Sequence, residues 1–178
     1  MAIGNYVLIA FFNVFLTHYQ GFSLRDALKV NFVALLFLTI LIPMMGYLSD
    51  YIGYKRLYTI GLCLLLILLF PVFWLLIQHD IIFALYGELL FALPLAPINA
   101  TVAILISEMF PANIRASGLS MGYNTGQAGL GGTVPLIGIA LIHYTDNDYA
   151  PAWYVFICGI IVLITLMLQK KQIKTLLI

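Results

Sequence analysis

The sequence predicts an all-α membrane protein built as one bundle of six transmembrane helices. Composition is the first reason: of 178 residues, 63% are hydrophobic and only 8% are charged, whereas a soluble domain carries about 25% charged residues. The second reason is the grouping of the apolar residues into long runs. A helix that crosses about 30 Å of hydrocarbon at about 1.5 Å per residue needs about 20 such residues.

Six apolar runs are the predicted spans. Each should be helical, because hydrocarbon offers no partner for a backbone N–H or C=O group. The runs cover residues 3–19, 30–49, 57–77, 81–106, 117–142 and 151–169, and the first is the shortest. The connections between them are short and polar, so neighbouring helices are expected to be antiparallel. Residues 1–178 are therefore predicted to form a single transmembrane domain embedded in the lipid bilayer.

Several classes of function are not predicted. The net charge of +1, without a basic patch outside the loops, argues against a nucleic-acid partner. The two cysteines and three histidines show no metal-ligand spacing, so neither a metal nor a cofactor is expected. Residues 118–122, "GLSMG", match G-x-S-x-G formally. That motif needs a strand-to-helix turn, whereas these residues lie in a predicted span, so we do not predict an enzyme.

Lysine and arginine bias predicts the orientation of the spans. One side of the membrane carries six basic residues and the other two. Because basic loops stay inside, both termini and the 50–56 loop are expected in the cytoplasm of a bacterial cell, with the chain in its cytoplasmic membrane. The six are Lys55, Arg56, Arg115, Lys170, Lys171 and Lys174, and the two are Arg25 and Lys29.

The stretch "GYLSDYIGYKR", residues 46–56, concentrates scarce charges between the second and third spans. Asp50 would lie at the end of one helix and Lys55 at the start of the next, which opposes both helix dipoles. Such charges need other partners, and Glu108 and Arg115 in the next loop on that side are the predicted ones. The alternative is a plain positive-inside anchor.

Two segments resemble the major facilitator superfamily. Residues 46–55 resemble its signature G-x-L-[AS]-D-R-x-G-R-[RK], although Tyr51 and Tyr54 stand where the signature has arginine, so a weakened charge lock is expected. The segment "SEMFPANIRASGLSMGYNTGQAGLGGTVPLI" resembles the tenth-to-eleventh span region of metabolite:proton symporters, and within it Glu108 and Arg115 resemble the E-x6-R pattern of sugar-porter-like members. The metabolite:proton symporter branch carries proline and betaine, α-ketoglutarate, shikimate and similar solutes.

The resemblance implies spans seven to twelve, the C-terminal half of a transporter that works by proton-coupled alternating access. It also implies a latch at the cytoplasmic end, made by Gly46, Asp50, Gly53, Lys55, Arg56, Glu108 and Arg115. The expected partners are a small polar solute, a proton, and either an N-terminal half or a second protomer. The alternative is a transport-inactive truncated fragment, or a membrane protein that serves only interactions.

Polar residues inside the spans are the candidates for the solute and proton pathway, since such groups usually face a cavity or another helix. They are Tyr6, Asn13, Glu88, Asn99, Asn124 and Gln127. Glu88 is either a proton carrier or ligand for a cationic solute group, or a residue near the outer interface that reaches water. For the amides, hydrogen bonding between helices is an equal alternative. The first and fourth spans are expected to line a cavity, with the third and sixth outermost.

Glycines recur at spacing four in the fifth span, at Gly118, Gly122 and Gly126. Small residues on one stripe let helices approach closely. The stripe therefore predicts a helix-packing face, either toward a missing half or partner protomer or within this bundle.

Overall fold

The computed structural model describes residues 1–108, 110–111 and 113–175, with side chains up to residue 168. Within those ranges the chain is helical, without a strand, which confirms the predicted fold class. Six helices follow one another: α1, Ala2–His18; α2, Leu24–Ile52; α3, Tyr54–Leu76; α4, Ile81–Ser107; α5, Arg115–Thr145; and α6, Ala150–Thr175.

Five of the helices, α2 to α6, are long and apolar enough to cross a membrane, and α1 is shorter, as its sequence predicted. Two of the six are not regular throughout. A π-helical segment, Val7–Phe11, interrupts α1, and a second one, Gly126–Gly131, interrupts α5. Such segments shift the backbone hydrogen bonds by one residue and are frequent at functional sites.

The core is centred on α1 and α4. Three phenylalanines of α1 are fully buried and meet aromatic rings of α3 and α4, with the Phe12 and Phe91 ring centroids 5.0 Å apart. Helix α3 lies close against α4 because Gly61 has no side chain: a Cβ there would lie 2.8 Å from the Pro97 ring. This packing holds α4, with half of its apolar window buried, in the middle of the bundle.

The outer faces of α3 and α6 carry apolar stripes. On α3, Ile60, Ile67 and Trp74 are exposed, and their spacing of seven places them on one face. Helix α6 exposes Trp153 and Ile157 in the same manner. Faces of this kind suit lipid. The outermost placement of the third and sixth spans stays a prediction, since 44% of the apolar window of α3 is buried, compared with 17% for α2.

A single residue, Gly53, reverses the chain between α2 and α3. Its φ of +90° lies where residues with a Cβ are strained, so glycine is required at this turn. The reversal brings the start of α3 beside the end of α4, where Lys55 contacts Glu108. The 50–56 and 107–116 loops thus lie at the same end of the bundle, as the antiparallel arrangement predicted.

Candidate functional site

One charged cluster lies at the end of the bundle where α2 meets α3. The Lys55 Nζ lies 3.1 Å from a carboxylate oxygen of Glu108, and the Tyr54 hydroxyl donates a hydrogen bond to the other oxygen. We call Tyr54, Lys55 and Glu108 the end cluster. The Tyr54 hydrogen bond, and then the Lys55 ammonium, lower the pKa of Glu108 below its ordinary value of 4.5. The carboxylate is therefore ionised at neutral pH.

Tyr54 is one of the two departures from the family signature, and its side chain makes a contact that the signature did not predict. The expected loss of an arginine contact is accompanied by a new contact, because the phenol reaches Glu108. Tyr51, the other departure, instead shares a hydrogen bond of 2.6 Å with Tyr47, and both rings are exposed. Of the two tyrosines, only Tyr54 joins the charged groups.

The other latch candidates do not join the end cluster. Asp50, Arg56 and Arg115 are exposed, and none forms an ion pair within the described ranges. The Arg115 Nε lies 3.5 Å from the Phe110 carbonyl oxygen. Gly46 has no atom within 4 Å of where a Cβ would lie. The structure thus joins one of the predicted pairs, Lys55 with Glu108, and leaves the remaining charges facing outward.

Glu88 lies inside α4, with 0% of its surface exposed. Its Oε2 accepts a hydrogen bond of 2.9 Å from the Asn31 Nδ2, and its Oε1 is buried without a partner in the described structure. The interpretation in which Glu88 reaches water at the outer interface is therefore wrong. An ionised carboxylate so enclosed, without a cation beside it, is costly. The geometry favours the neutral, protonated acid.

Asn31, on α2, is the residue that sequence reasoning missed. It is 4% exposed, and its Nδ2 also donates to the Leu8 carbonyl of α1 at 2.6 Å. One amide thus joins α1, α2 and α4 at the buried acid. The available signal was a lone asparagine within an apolar run, which in a membrane usually faces another helix.

Asn99 forms a reciprocal amide pair with Asn5 of α1. Each Nδ2 donates to the other Oδ1 at 2.9 Å, and the Asn99 Nδ2 also lies 3.0 Å from the Leu95 carbonyl. Hydrogen bonding between helices, one of the two predicted roles, is therefore what the amide of Asn99 does here. The pair ties the two central helices together beside the groove described below.

Three further candidates lie apart from Glu88 and Asn99. The Tyr6 ring packs on Gly131, where a Cβ would lie 2.6 Å from the ring. The Asn13 Nδ2 donates to the Ile9 carbonyl of its own helix at 3.0 Å. The Gln127 Nε2 lies 4.0 Å from the Met1 sulfur. In the described structure none of these three is hydrogen-bonded to Glu88 or Asn99, although Met1, which Gln127 approaches, lines the groove described below.

An open groove of about 490 Å³ runs beside the Asn99 pair. It is bounded by Met1, which precedes α1, and by α2, α4 and α5, and no described residue of α3 or α6 lines it. Two predicted residues, Asn99 and Asn124, lie in it together. Its full lining is Met1, Ile42, Asn99, Val102, Ala103, Leu119, Ser120, Tyr123 and Asn124. Amide and hydroxyl groups therefore face a space large enough for a small molecule.

The glycine stripe of α5 divides in two. A Cβ at Gly118 would strike the Phe110 ring, whereas Gly122 and Gly126 have no atom within 4 Å of that position. Gly118 thus packs within the chain. Gly131 and Gly138 do so as well, since Gly131 faces the Tyr6 ring and Gly138 faces the Phe11 ring. Within the described structure, no other part of the chain packs against the Cβ positions of Gly122 and Gly126.

The comparisons with known proteins agree with this architecture. The family model described as Major Facilitator Superfamily matches residues 1–172. No solved structure matches the chain significantly.

Transporters are among the relatives. An ectoine/proline transporter of Corynebacterium glutamicum is 28% identical over 169 residues, and covers 95% of this chain. A glycine betaine/proline/ectoine/pipecolic acid transporter of Dickeya dadantii is 28% identical over 170 residues, with the same coverage. A proline/betaine transporter of Escherichia coli K12 is 26% identical over 169 residues.

The chain spans about a third of the length of these relatives, since the matched region is 34% of each. Within this chain, in contrast, the match to the family model is nearly end to end. The helices, their apolar outer faces and the family match together describe a multi-pass integral membrane protein. The chain belongs to the Major Facilitator Superfamily.

Proposed function

We propose that the chain is the C-terminal half of a proton-coupled transporter for a small polar solute, working by alternating access. The observation that carries this proposal is the open groove beside Asn99, which is bounded by Met1 and by helices α2, α4 and α5. Transporters of this kind bind their solute near the middle of the membrane, between two repeats. A groove with one wall missing is what a half of such a protein would contribute.

The chemistry of the groove favours a zwitterionic osmolyte such as proline or betaine over an organic acid. Its lining contains two amides and two hydroxyls, and no charged side chain among the described residues; the polar groups come from Asn99, Asn124, Ser120 and Tyr123. Neutral donors can bind the carboxylate of a zwitterion, and a tyrosine ring can hold a quaternary ammonium. A solute with net negative charge would call for an arginine or lysine. The names of the relatives point to the same class of solute.

We assign the end cluster and the outward-facing charges beside it to a latch that holds one state of the transporter. Lys55 and Glu108 join the α2–α3 turn to the end of α4. Asp50, Arg56 and Arg115 are exposed at this end and can pair with a second half. Breaking these contacts would let the helices separate at this end while the opposite end closes.

Glu88 is proposed as the residue that carries the coupling proton. It is the one buried carboxyl among the described side chains, and it is neighboured by an amide rather than a cation. An acid in such a place holds a proton when enclosed and releases it when water reaches it. Coupling would then follow from the change in water access during alternating access.

A second wall is proposed to cover α2 and α5. Only 17% of the apolar window of α2 and 22% of that of α5 is buried, compared with 50% for α4. Helix α6 is also 22% buried, but only α2 and α5 of these three helices supply lining residues to the groove. The wall would come from an N-terminal half or from a second copy of this chain. From the basic residues of the loops we infer that the latch end and both termini face the cytoplasm and that the bilayer is the bacterial cytoplasmic membrane.

Two glycine substitutions test the uncovered face. Gly122→Leu should leave the thermal stability of the isolated chain nearly unchanged, because no atom lies within 4 Å of the position that its Cβ would take. It should nevertheless reduce uptake, since the second wall would meet the leucine. Gly131→Leu is the matched control: it collides with the Tyr6 ring, and overpacking of this kind costs about 1–3 kcal/mol. Full uptake by the Gly122→Leu variant would remove the proposed interface.

Uptake of labelled proline, betaine and a dicarboxylate tests the function. The chain would be produced in cells that lack osmolyte carriers, alone and together with an N-terminal half taken from a relative. We expect uptake of the zwitterions, and not of the dicarboxylate, when the second wall is present. Uptake by the chain alone would identify a second copy as that wall. Correct membrane insertion without uptake in any combination would contradict the proposal and favour an inactive fragment or an interaction protein.

A further inference from the structure

The π-helical segment of α1 leaves one backbone carbonyl without its normal donor. In an α-helix, the Leu8 carbonyl would accept from the N–H of Phe12, four residues on. Here the Phe12 N–H donates to the Val7 carbonyl instead. A carbonyl freed in this way inside a membrane needs another donor. The Asn31 Nδ2 of α2 supplies it, at 2.6 Å.

This contact fixes the orientation of the Asn31 amide. A carbonyl oxygen can only accept, so the atom facing Leu8 must be the Nδ2 and not the Oδ1. The amide nitrogen has two N–H groups, and the second one points to the Oε2 of Glu88, 2.9 Å away. The backbone irregularity of α1 therefore dictates, through one side chain, how the acid on α4 is held.

No ionised group of the neighbouring helices acts on Glu88 in the described structure. Among the described residues its one hydrogen-bond partner is Asn31, and no salt bridge reaches it. The charged residues of α2 that come closest in sequence, Asp26 and Lys29, are exposed and pair with each other at 2.9 Å. On its own helix, the nearest titratable residue is Tyr86, which is also exposed. The Asn31 amide is thus the sole polar contact that distinguishes the two carboxyl oxygens.

We propose that Asn31 is the positioning residue of the proton site: anchored on the Leu8 carbonyl, it keeps Oε2 of Glu88 as the accepting oxygen and leaves Oε1 to bind and release the proton. In the enclosed state the Oε1–H bond is intact. When that side of the bundle opens, the bond breaks, the proton passes to a water molecule, and the N–H of Asn31 stays on the resulting carboxylate. This proposal deepens the proposed function, and the part of Asn31 in transport rests on that function.

Infrared spectroscopy of the purified chain in nanodiscs tests the proposal without requiring uptake. A protonated Glu88 gives a carboxylic C=O stretching band, assigned by its loss in Glu88→Gln. In Asn31→Leu, which has a similar volume and no N–H, that band should move to higher frequency because its hydrogen bond is gone. Asn31→Gln retains an amide and should move it less. Thr101→Val is the matched control: this buried hydroxyl donates only to the Pro97 carbonyl, so the band should stay in place.

Uptake assays extend the test. If the second wall restores transport, Asn31→Leu should shift the pH profile of uptake toward higher pH, because the carboxylate loses its donor, while Thr101→Val keeps the normal profile. An unchanged Glu88 band in both Asn31 variants, or a wild type without a protonated Glu88 band, would overturn the proposal. A shifted band in a protein that never transports would retain the positioning role and refute the proposed function alone.

Discussion

Helix α4 has a glutamate near each end, and the two have opposite surroundings. Glu88, two turns into the helix, is fully buried against an amide. Glu108, immediately after the last residue of the helix, is exposed and pairs with Lys55 and Tyr54. The two acids are about 30 Å apart at helical rise. The same side chain is thus enclosed without a charged partner at one position, and is an exposed partner of Lys55 at the other.

The difference shows that position in the bundle, rather than residue type, decides what a carboxyl can do here. An exposed ion pair is weak, and its partners can separate and re-form at little cost, which is what a latch requires. A buried acid is costly to ionise, so its proton is exchanged only when the protein opens. We infer that the two glutamates report on separate steps: conformational switching at one end and proton binding at the other.

Charge reversal at Glu88 and at Glu108 should give the largest difference between the two positions. Glu88→Lys would enclose an ammonium without an anion, at a cost of about 3 kcal/mol or more, so we expect little chain in the membrane. Glu108→Lys places a second lysine beside Lys55 in water, and the chain should accumulate normally. Immunoblots of membrane fractions measure both. Equal accumulation of the two variants would contradict the burial of Glu88.

Removal of the proton site alone should have the next largest effect. Glu88→Gln keeps the shape and an acceptor for the Asn31 amide, but cannot release a proton. We expect loss of uphill accumulation of proline or betaine, whereas exchange of labelled for unlabelled solute continues. Glu108→Gln is the control, and it should still accumulate solute. Normal accumulation by the Glu88→Gln protein would assign Glu88 to structure.

Substitutions at the latch end should change the maximal uptake rate more than they change the coupling of uptake to protons. Lys55→Met and Asp50→Asn remove latch charges from exposed positions, where an ion pair contributes about 0.2–1 kcal/mol. The expected result is a change of a few-fold at most in the maximal uptake rate, with insertion unaffected. Tyr54→Phe, which removes only the hydroxyl that contacts Glu108, should have a smaller effect in the same direction. Identical kinetics in the Asp50→Asn, Lys55→Met and wild-type proteins would remove the latch role.

Much of this arrangement followed from the sequence. The apolar runs located six helices, and the charged segments predicted that Lys55 and Glu108 would meet, because antiparallel spans return to the same side. Glu88 was recognised as the ionisable residue inside a span. These predictions depend on the cost of charge in lipid, which is large enough to be visible in composition alone.

The features that the sequence did not predict depend on the detailed path of the backbone. The freed carbonyl of Leu8 arises from a one-residue shift in α1, and apolar sequence does not signal such a shift. Without knowledge of this shift, nothing in the sequence distinguishes Asn31 from the other polar residues of the spans. Likewise, Gly118, Gly122 and Gly126 recur at a regular spacing of four residues. Only the tertiary structure shows that the Phe110 ring covers Gly118, whereas no atom lies within 4 Å of the Cβ positions of Gly122 and Gly126.

The most direct test of the account is the pH profile of proline or betaine uptake, compared between wild type, Glu88→Gln and Glu108→Gln. The pKa of Glu108 is lowered, so its pairing is complete above the ordinary value of 4.5 and is lost only as the pH falls through its lower pKa. Its charge does not change near neutral pH. We predict a flat profile for Glu88→Gln and a wild-type profile, at reduced rate, for Glu108→Gln. A flat profile for Glu108→Gln with a wild-type profile for Glu88→Gln would contradict the account.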